Sequence, residues 1–493
     1  MSNDAFTVEL AEALDPLVLG IDVGSTGTRT GIYDARGVPL HRHRHKAPHS
    51  FTTAPDGTVT IDPLPVVDEA AAGISAVTEH LGGRTVAGVA IDTFASSLVG
   101  VGRDGTPLTP CYTYADTRST SQLVGLLGEL DLDEVHDLTG TRLHTSYLAP
   151  RLRWLRETSP EVFARVDRWF SIGEFIQLRL AGATAVGTST AAWTGLLDRR
   201  TGEWASPLLD AVGVGTERFS PLCDPDSWVE GAGTDQWPAL RDARWFAPLA
   251  DGLSSNIGSG ATDPGTIGLA AATSGAMRVL VTGTPAVLPS GLWCYRISRE
   301  QSLVGGALND VGRVVSWLED VVRLPEGTSL DDVARRAPDA GTPIVLPFLT
   351  GERSTGWRAD ARGVFADIGA AADGAAVARG ALEGLALSYE RVHDQLVDAN
   401  PAVTRVVASG RVTNRVPGLL ALVADAISMP VDHAVLRRAT LRGTALLALD
   451  VLAPDVERAP TPIAVTESPD PDHAAHYATR RGRFADLYDR LLS

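Results

Sequence analysis

The sequence predicts an α/β fold in two similar halves, and three observations carry that reading. The chain has 493 residues, too many for one ordinary core, which implies two or three domains of roughly 150 to 250 residues each. A hairpin of two apolar strands around a small turn occurs near the start and again past the middle, as a duplicated fold would produce. The second half then alternates strand and helix patterns and contains a strand-glycine-helix junction.

The elements follow in order. Leu17 to Val23 (LVLGIDV) is an apolar run rich in branched residues that stops at the turn GSTGT and restarts as TRTGIYD, a buried hairpin. APRLRWLRETSPEVFARV reads as helix, and Pro221 to Pro238 as a turn-rich stretch, so the domain boundary is expected near residues 225 to 250. TIGLAAA, the turn Thr273-Ser274-Gly275 and AMRVLVT form the second hairpin. Between Ala381 and Leu396, apolar residues recur at helical spacing. TRVVAS is a strand, Gly410 a tight turn, and VPGLLALVADAIS a helix with Pro417 in its first turn. Phe484, Leu487, Tyr488 and Leu491 predict a docking helix at the end.

Composition narrows function. Hydrophobic residues make up 44% and charged residues 21%, the balance of a globular protein. The net charge of −17 has the wrong sign for phosphate backbones or anionic membranes, so neither nucleic acid nor membrane is an expected partner. No apolar run approaches a span, and the acidic start does not resemble a secretory signal, so the cytoplasm is expected. Cys111, Cys223 and Cys294 lie too far apart for a disulfide framework or a close-paired zinc site. Lys46 is the only lysine and sits in a polar stretch, which argues against a P-loop and a Schiff-base mechanism. His41, His43 and His45 alternate with arginines and read as a solvated edge strand rather than a metal site.

The strongest motif is Asp22-Val23-Gly24-Ser25-Thr26 with Arg29. A strand delivers an aspartate to a turn small enough for amides and hydroxyls to approach a phosphate, and Asp22 is placed to hold Mg²⁺ through water. Thr273-Ser274-Gly275 supplies only hydroxyls and amides, as a second turn facing the first. Ala408 to Arg415 (ASGRVTNR), with Gly410 and Asn414, is a third turn that can take a base or phosphate.

In that order the sequence resembles the FGGY family of carbohydrate kinases, within the actin-like ATPases. The resemblance rests on IDVGSTGTR, TPLTPCYTYADTRS, SIGEFIQLRLAG, TGLLDRRTGEW, ADGLSSNIGSGATDPG, ATSGAMR, LPFLTGERSTGW and ASGRVTN. It implies two actin-like (ribonuclease H-like) domains with the active site in the cleft between them. The expected division is an extension at 1–16, domains at 17–247 and 248–453, and a tail at 454–493. It implies ATP and Mg²⁺, a small sugar or sugar acid as partner, and Asp251 as general base; a homodimer is left open. Asp263, in an Asp-Pro-Gly context, is the competing acid and reads as a turn residue. Ser96, Asp116 and Arg118 fall on the sugar side, Arg118 as the guanidinium for a carboxylate.

Ser96 stands where many members carry histidine, with Ala95 in place of an aromatic residue, and Ala272 and Ser409 replace glycines. Several segments look most like the gluconate kinase branch, so a sugar acid is expected, with xylulose or ribulose as runner-up. The alternatives of other kinds are an actin-like nucleotide switch and a kinase without turnover. A switch has no need of Asp251 together with Asp116 and Arg118.

Overall fold

The computed structural model of the chain describes residues 6–231 and 236–492. Part of the turn-rich stretch around the expected boundary, and the first five residues of the expected extension, lie outside the described residues.

The first sheet is built from β1 (Leu17–Gly24), β2 (Gly27–Tyr33), β3 (Pro39–Ala47), β4 (Val86–Thr93), β5 (Trp228–Glu230) and β6 (Arg244–Phe246). Their order across the sheet is β5-β6-β4-β1-β2-β3, and a two-residue strand β7 (Leu249–Ala250) also pairs with β4. β1 is antiparallel to β2 and parallel to β4. It reads as an unbroken apolar run because both its faces are covered. Leu17, Leu19, Ile21 and Val23 pack with α1 (Pro63–Thr78) and α2 (Ile172–Ala181). The alternate positions, Val18, Gly20 and Asp22, point to the opposite face. Asp62 and Pro63 start α1, and a reciprocal Ser171–Glu174 cap starts α2.

The second sheet comprises β8 (Thr266–Ala271), β9 (Gly275–Thr282), β10 (Trp293–Arg296), β11 (Gln301–Leu308), β12 (Arg405–Ser409), β13 (Val431–Ala434) and β14 (Ile463–Glu467). Its order is β10-β11-β9-β8-β12-β13-β14. The hairpin β8–β9, its parallel neighbours β12 and β13 and the antiparallel edge β14 repeat the plan of the first sheet. Ile267, Leu269, Met277, Val279 and Val281 form a core with a helix spanning Gly374–Ala399.

Two helices join the halves. α3 (Asp251–Gly258) follows β7, and α5 (Ala439–Leu452), which comes after the long α4 (Gly374–Ala399), lies on the far face of the first sheet with Leu441 and Leu449 beside Val18. α3 and α5 touch backbone to backbone: a Cβ on Gly443 would lie 1.8 Å from the Ser254 carbonyl oxygen.

Four details differ from the sequence expectation. Trp228–Glu230 and Arg244–Phe246 are strands of the first sheet rather than linker; cation-π contact of Arg244 with the Trp228 ring, 4.2 Å from its centroid, ties them. The helix expected over VPGLLALVADAIS begins only at Leu419, beyond Pro417, where Asp331 accepts the Gly418 N–H at 2.5 Å, and a separate short helix, Arg411–Arg415, precedes it. The final helix α6 (Ala474–Leu492) buries Tyr477 and Phe484 but leaves Leu491 exposed. In the edge strand β3, His43 is buried with Nδ1 2.9 Å from the Val77 carbonyl oxygen, so the histidine stripe is only partly solvated.

Candidate active site

Parallel pairing gathers three carboxyl groups at one end of the first sheet. Asp22 on β1 lies opposite Asp92 on β4, and Leu249 of β7 is also opposite Asp92, which carries the chain to Asp251 at the start of α3. Asp22 is buried and its Oδ2 accepts from Arg29 Nη1 at 3.0 Å; burial raises its pKa against the pull of Arg29. Asp92 is pushed well above the carboxylate range by burial and by the charges of Asp22 and Asp251. The Thr444 hydroxyl of α5 donates to its Oδ2, and its Oδ1 has no protein partner. Asp251 is half-buried and raised to about 6, chiefly by desolvation and also by Asp22, while Arg278 opposes the shift.

The two phosphate-type turns sit close by. Gly24, Ser25 and Thr26 follow Asp22, and Arg29 also reaches the Thr26 hydroxyl at 3.4 Å. His49 braces this turn, with Nε2 2.7 Å from the Gly24 carbonyl oxygen and Nδ1 2.7 Å from Glu69 Oε2. Thr273, Ser274 and Gly275 form the turn between β8 and β9. Gly410 adjoins it with φ of 123°, where a Cβ would lie 2.2 Å from the Ala271 carbonyl oxygen, so only glycine fits. Arg411 donates from Nη2 to the Thr273 hydroxyl, and Asn414 Nδ2 donates to the Gly410 carbonyl at 3.1 Å. The third turn is thereby tied to the second.

A cavity of about 210 Å³ opens between the halves. Asp251 and Ser96 line it from the side of the first sheet, and Ser274, Gly275, Arg278 and Arg353 from the side of the second. Aromatic walls complete it: Trp193 and Trp293 stack on Tyr295 at 3.9 and 4.4 Å between centroids, and the Tyr147 and Tyr295 hydroxyls are 2.7 Å apart. His144 also lines it, with its pKa lowered to about 4 by burial and by Arg353; Nδ1 accepts the Ser146 N–H at 3.1 Å, which leaves the proton on Nε2. A larger, open cleft of about 590 Å³ near Arg103 and Arg179 holds none of the strand-end carboxylates.

Asp116 and Arg118, expected on the sugar side, do not line this cavity. Asp116 is buried, accepts the Val59 N–H at 3.1 Å and pairs with Arg118 Nη2 at 2.6 Å, while Arg118 lies over the Trp154 ring at 4.6 Å. The pair fastens one loop to a helix. Ser96 does line the cavity, in a positive-φ conformation, with Oγ donating to the Trp193 carbonyl at 2.5 Å. Asp263 accepts from Gly265 N and Thr266 Oγ1, the turn role expected of it.

Arg278, Arg353, His144, Asp92 and the aromatic wall were not singled out from sequence. Arg278 and Arg353 do fall inside quoted motifs, ATSGAMR and LPFLTGERSTGW, but a motif does not show which of its residues faces a cavity. His144 and Tyr147 lie in no motif at all.

Among the described residues no group of three or more His, Cys, Asp or Glu side chains is arranged to hold a metal ion by itself. Hard carboxylate oxygens at Asp22 and Asp251 do suit Mg²⁺, which keeps several waters and takes only one or two carboxylates beside phosphate. No helix of the described residues is long and apolar enough to cross a membrane.

Duplicated α/β halves bring an acid, a phosphate-type turn and a small aromatic-walled cavity together between them. Residues 17–230 match the N-terminal domain of the FGGY family of carbohydrate kinases and residues 271–450 its C-terminal domain. The chain belongs to this family, whose members share the actin-like fold. It is 24% identical over 415 residues to a gluconokinase of Bacillus subtilis (strain 168), covering 80% of this chain and 79% of that protein. A gluconate kinase structure from Lactobacillus acidophilus superimposes with a TM-score of 0.89 at 25% identity, covering 96% of this chain and 98% of the other. A ligand-bound xylulose kinase from the same organism superimposes with a TM-score of 0.89 at 26% identity, covering 97% and 98%.

Proposed function

We propose that this kinase transfers the γ-phosphoryl group of ATP to a hydroxyl of a sugar acid, gluconate or a related aldonate, with Asp251 as general base. One observation carries the reading: the same cavity is walled by a carboxylate whose pKa lies near the operating range and by the Ser274-Gly275 phosphate-type turn. A base must reach the sugar hydroxyl as the phosphoryl group arrives, and both groups border a space of sugar size. The likeness to gluconokinases supports the choice of acid.

In this reading Gly24, Ser25, Thr26 and Arg29 receive the phosphates on one side and Thr273, Ser274 and Gly275 on the other, with Gly410 and Asn414 toward the adenosine. Asp22, and Asp251 beside it, would hold Mg²⁺, which would supply neutralisation of charge on the phosphates. Ser96 borders the sugar. The halves divide as 17–247 and 248–453, and closure of the cleft excludes water from the acceptor site. We place the enzyme in the cytoplasm, which its unpaired thiols suit.

A pentulose is the second reading, favoured by the equal superposition on a xylulose kinase. A coupled ADP-release assay with gluconate, other aldonates, xylulose, ribulose, glycerol and erythritol decides. Turnover highest with an aldonate is expected. Turnover confined to ketoses would install the second reading, and ATP hydrolysis indifferent to every sugar would install a nucleotide switch.

A further inference from the structure

The cavity holds two guanidinium groups and one carboxylate. Arg278 faces Asp251, and each moderates the other's charge. Among the described residues Arg353 has no such counterion. Its Nε donates to the neutral Asn309 Oδ1 at 2.7 Å, and Asp310, the carboxylate whose charge acts on it, is already engaged by the Thr350 N–H and hydroxyl, both at 2.7 Å, and by Arg313 at 3.5 Å. Arg278 Nε is buried with no hydrogen-bond partner among the described residues. Burial lowers the pKa of both arginines.

A cation held in an aromatic-walled space is costly unless an anion or strong acceptor meets it. Arg353 is thus a cation in the cavity wall with no acid set against it among the described residues. A neutral sugar would leave that charge uncompensated. A monoanion would balance it, and a planar carboxylate fits the guanidinium fork through two parallel hydrogen bonds.

We propose that Arg353, seconded by Arg278, is the carboxylate-recognition element of this cavity and that the substrate is a polyhydroxylated monocarboxylate bound with its acid group on Arg353 and a hydroxyl toward Asp251. This rests on the kinase reading and transfers to Arg353 the role that the sequence suggested for Arg118. His144 Nε2–H and the Tyr114 hydroxyl supply hydrogen bonds for the remaining hydroxyls, and the Trp293 and Tyr295 faces pack against the carbon chain.

The test compares gluconate with sorbitol, in which a neutral hydroxymethyl group replaces the carboxylate. Arg353→Gln should raise the KM for gluconate by about 30-fold or more, leave the KM for ATP within about twofold, and abolish the preference for gluconate over sorbitol. Arg353→Lys should recover part of the loss, because charge returns without the fork. An equal rise for gluconate and sorbitol, or a loss of kcat on both at saturation, would overturn the assignment in favour of a structural or phosphoryl-binding role.

Fluorescence of the cavity tryptophans in the unmodified enzyme gives a second reading that needs no turnover and no variant. Gluconate binding at least tenfold tighter than sorbitol is expected, and equal affinities would sink the proposal. No ADP release with any aldonate, together with tight gluconate binding, would instead refute the proposed reaction and leave the carboxylate site standing.

Discussion

The turn after β1 and the turn after β8 occupy equivalent places in two sheets of the same strand order, yet their chemistry differs. The first carries a buried aspartate, an arginine paired to it and a histidine brace on Gly24. The second offers hydroxyls and amides, and its nearest charge, Arg411, arrives from the third turn. Duplication has kept the backbone and distributed the charge unequally. The half with carboxylates can handle a metal and a proton, whereas the half with glycine, hydroxyl and arginine can cradle an anion. A phosphoryl group passing between them would move from a positive cradle toward an acidic floor, with Asp251 at the boundary.

The largest expected effect tests the acidic half. Asp251→Asn keeps size and hydrogen bonding but cannot accept a proton, so kcat should fall about 10²- to 10⁴-fold, roughly 3 to 5.5 kcal/mol of barrier, with the KM for ATP nearly unchanged. In the unmodified enzyme the base must be ionised, so kcat/KM should rise with pH through about 6 and level off above it. Retention of more than a tenth of kcat in Asp251→Asn would move the base elsewhere.

The asymmetry of the two turns is tested next. Asp22→Ala removes the one carboxylate of the first turn and should lower activity about 10²-fold, in a way that excess Mg²⁺ partly restores. Thr273→Ala, at the matching place of the second turn, removes a hydroxyl and should raise the KM for ATP only a few-fold. Equal losses would show that the two halves contribute alike, and the charge argument would fail.

Arg118 sharpens the contrast between a site residue and a structural pair. Arg118→Ala strands the buried Asp116 carboxylate and should cost about 3 kcal/mol of stability by urea denaturation, while the KM values for sugar and ATP stay within about twofold. A rise in the sugar KM alone would restore it to the substrate side.

That residue also shows what the sequence could and could not disclose. Hairpins, the strand-glycine-helix junction and the phosphate-type turns are local, so hydrophobic period and turn chemistry made them legible, and Asp22 and Gly410 with them, whereas Asp251 came only from the family resemblance. Which arginine faces the sugar depends on how two sheets are set against each other. Arg118 and Arg353 both stand in motifs with plausible chemistry, and only packing separates them: one lies over Trp154 and the other opens into the cavity. Asp92 was illegible for the same reason, since its partner Thr444 lies far along the chain on the helix that crosses between halves. Trp228–Glu230 was missed because a three-residue edge strand leaves too short a period to read.

The smallest effect tests what the acidic floor costs the fold. Asp251 is raised from 3.8 to about 6, so between those values the native state holds a proton that the unfolded chain has released. Stability attributable to this group is therefore complete below about pH 4, falls as pH rises, and is gone above about pH 6. Asp251→Asn never ionises and avoids that loss. The variant should match the unmodified protein at pH 4 and exceed it at pH 7 by about 1 to 3 kcal/mol, a range discounted for the half-exposed carboxyl. The repulsion from Asp22 is already part of that shift. Urea denaturation at the two pH values measures the difference directly. A variant less stable than the unmodified protein at pH 7 would mean that Arg278 gains more from the Asp251 charge than burial takes away, and the cavity would then be held together by the very carboxylate that catalysis requires.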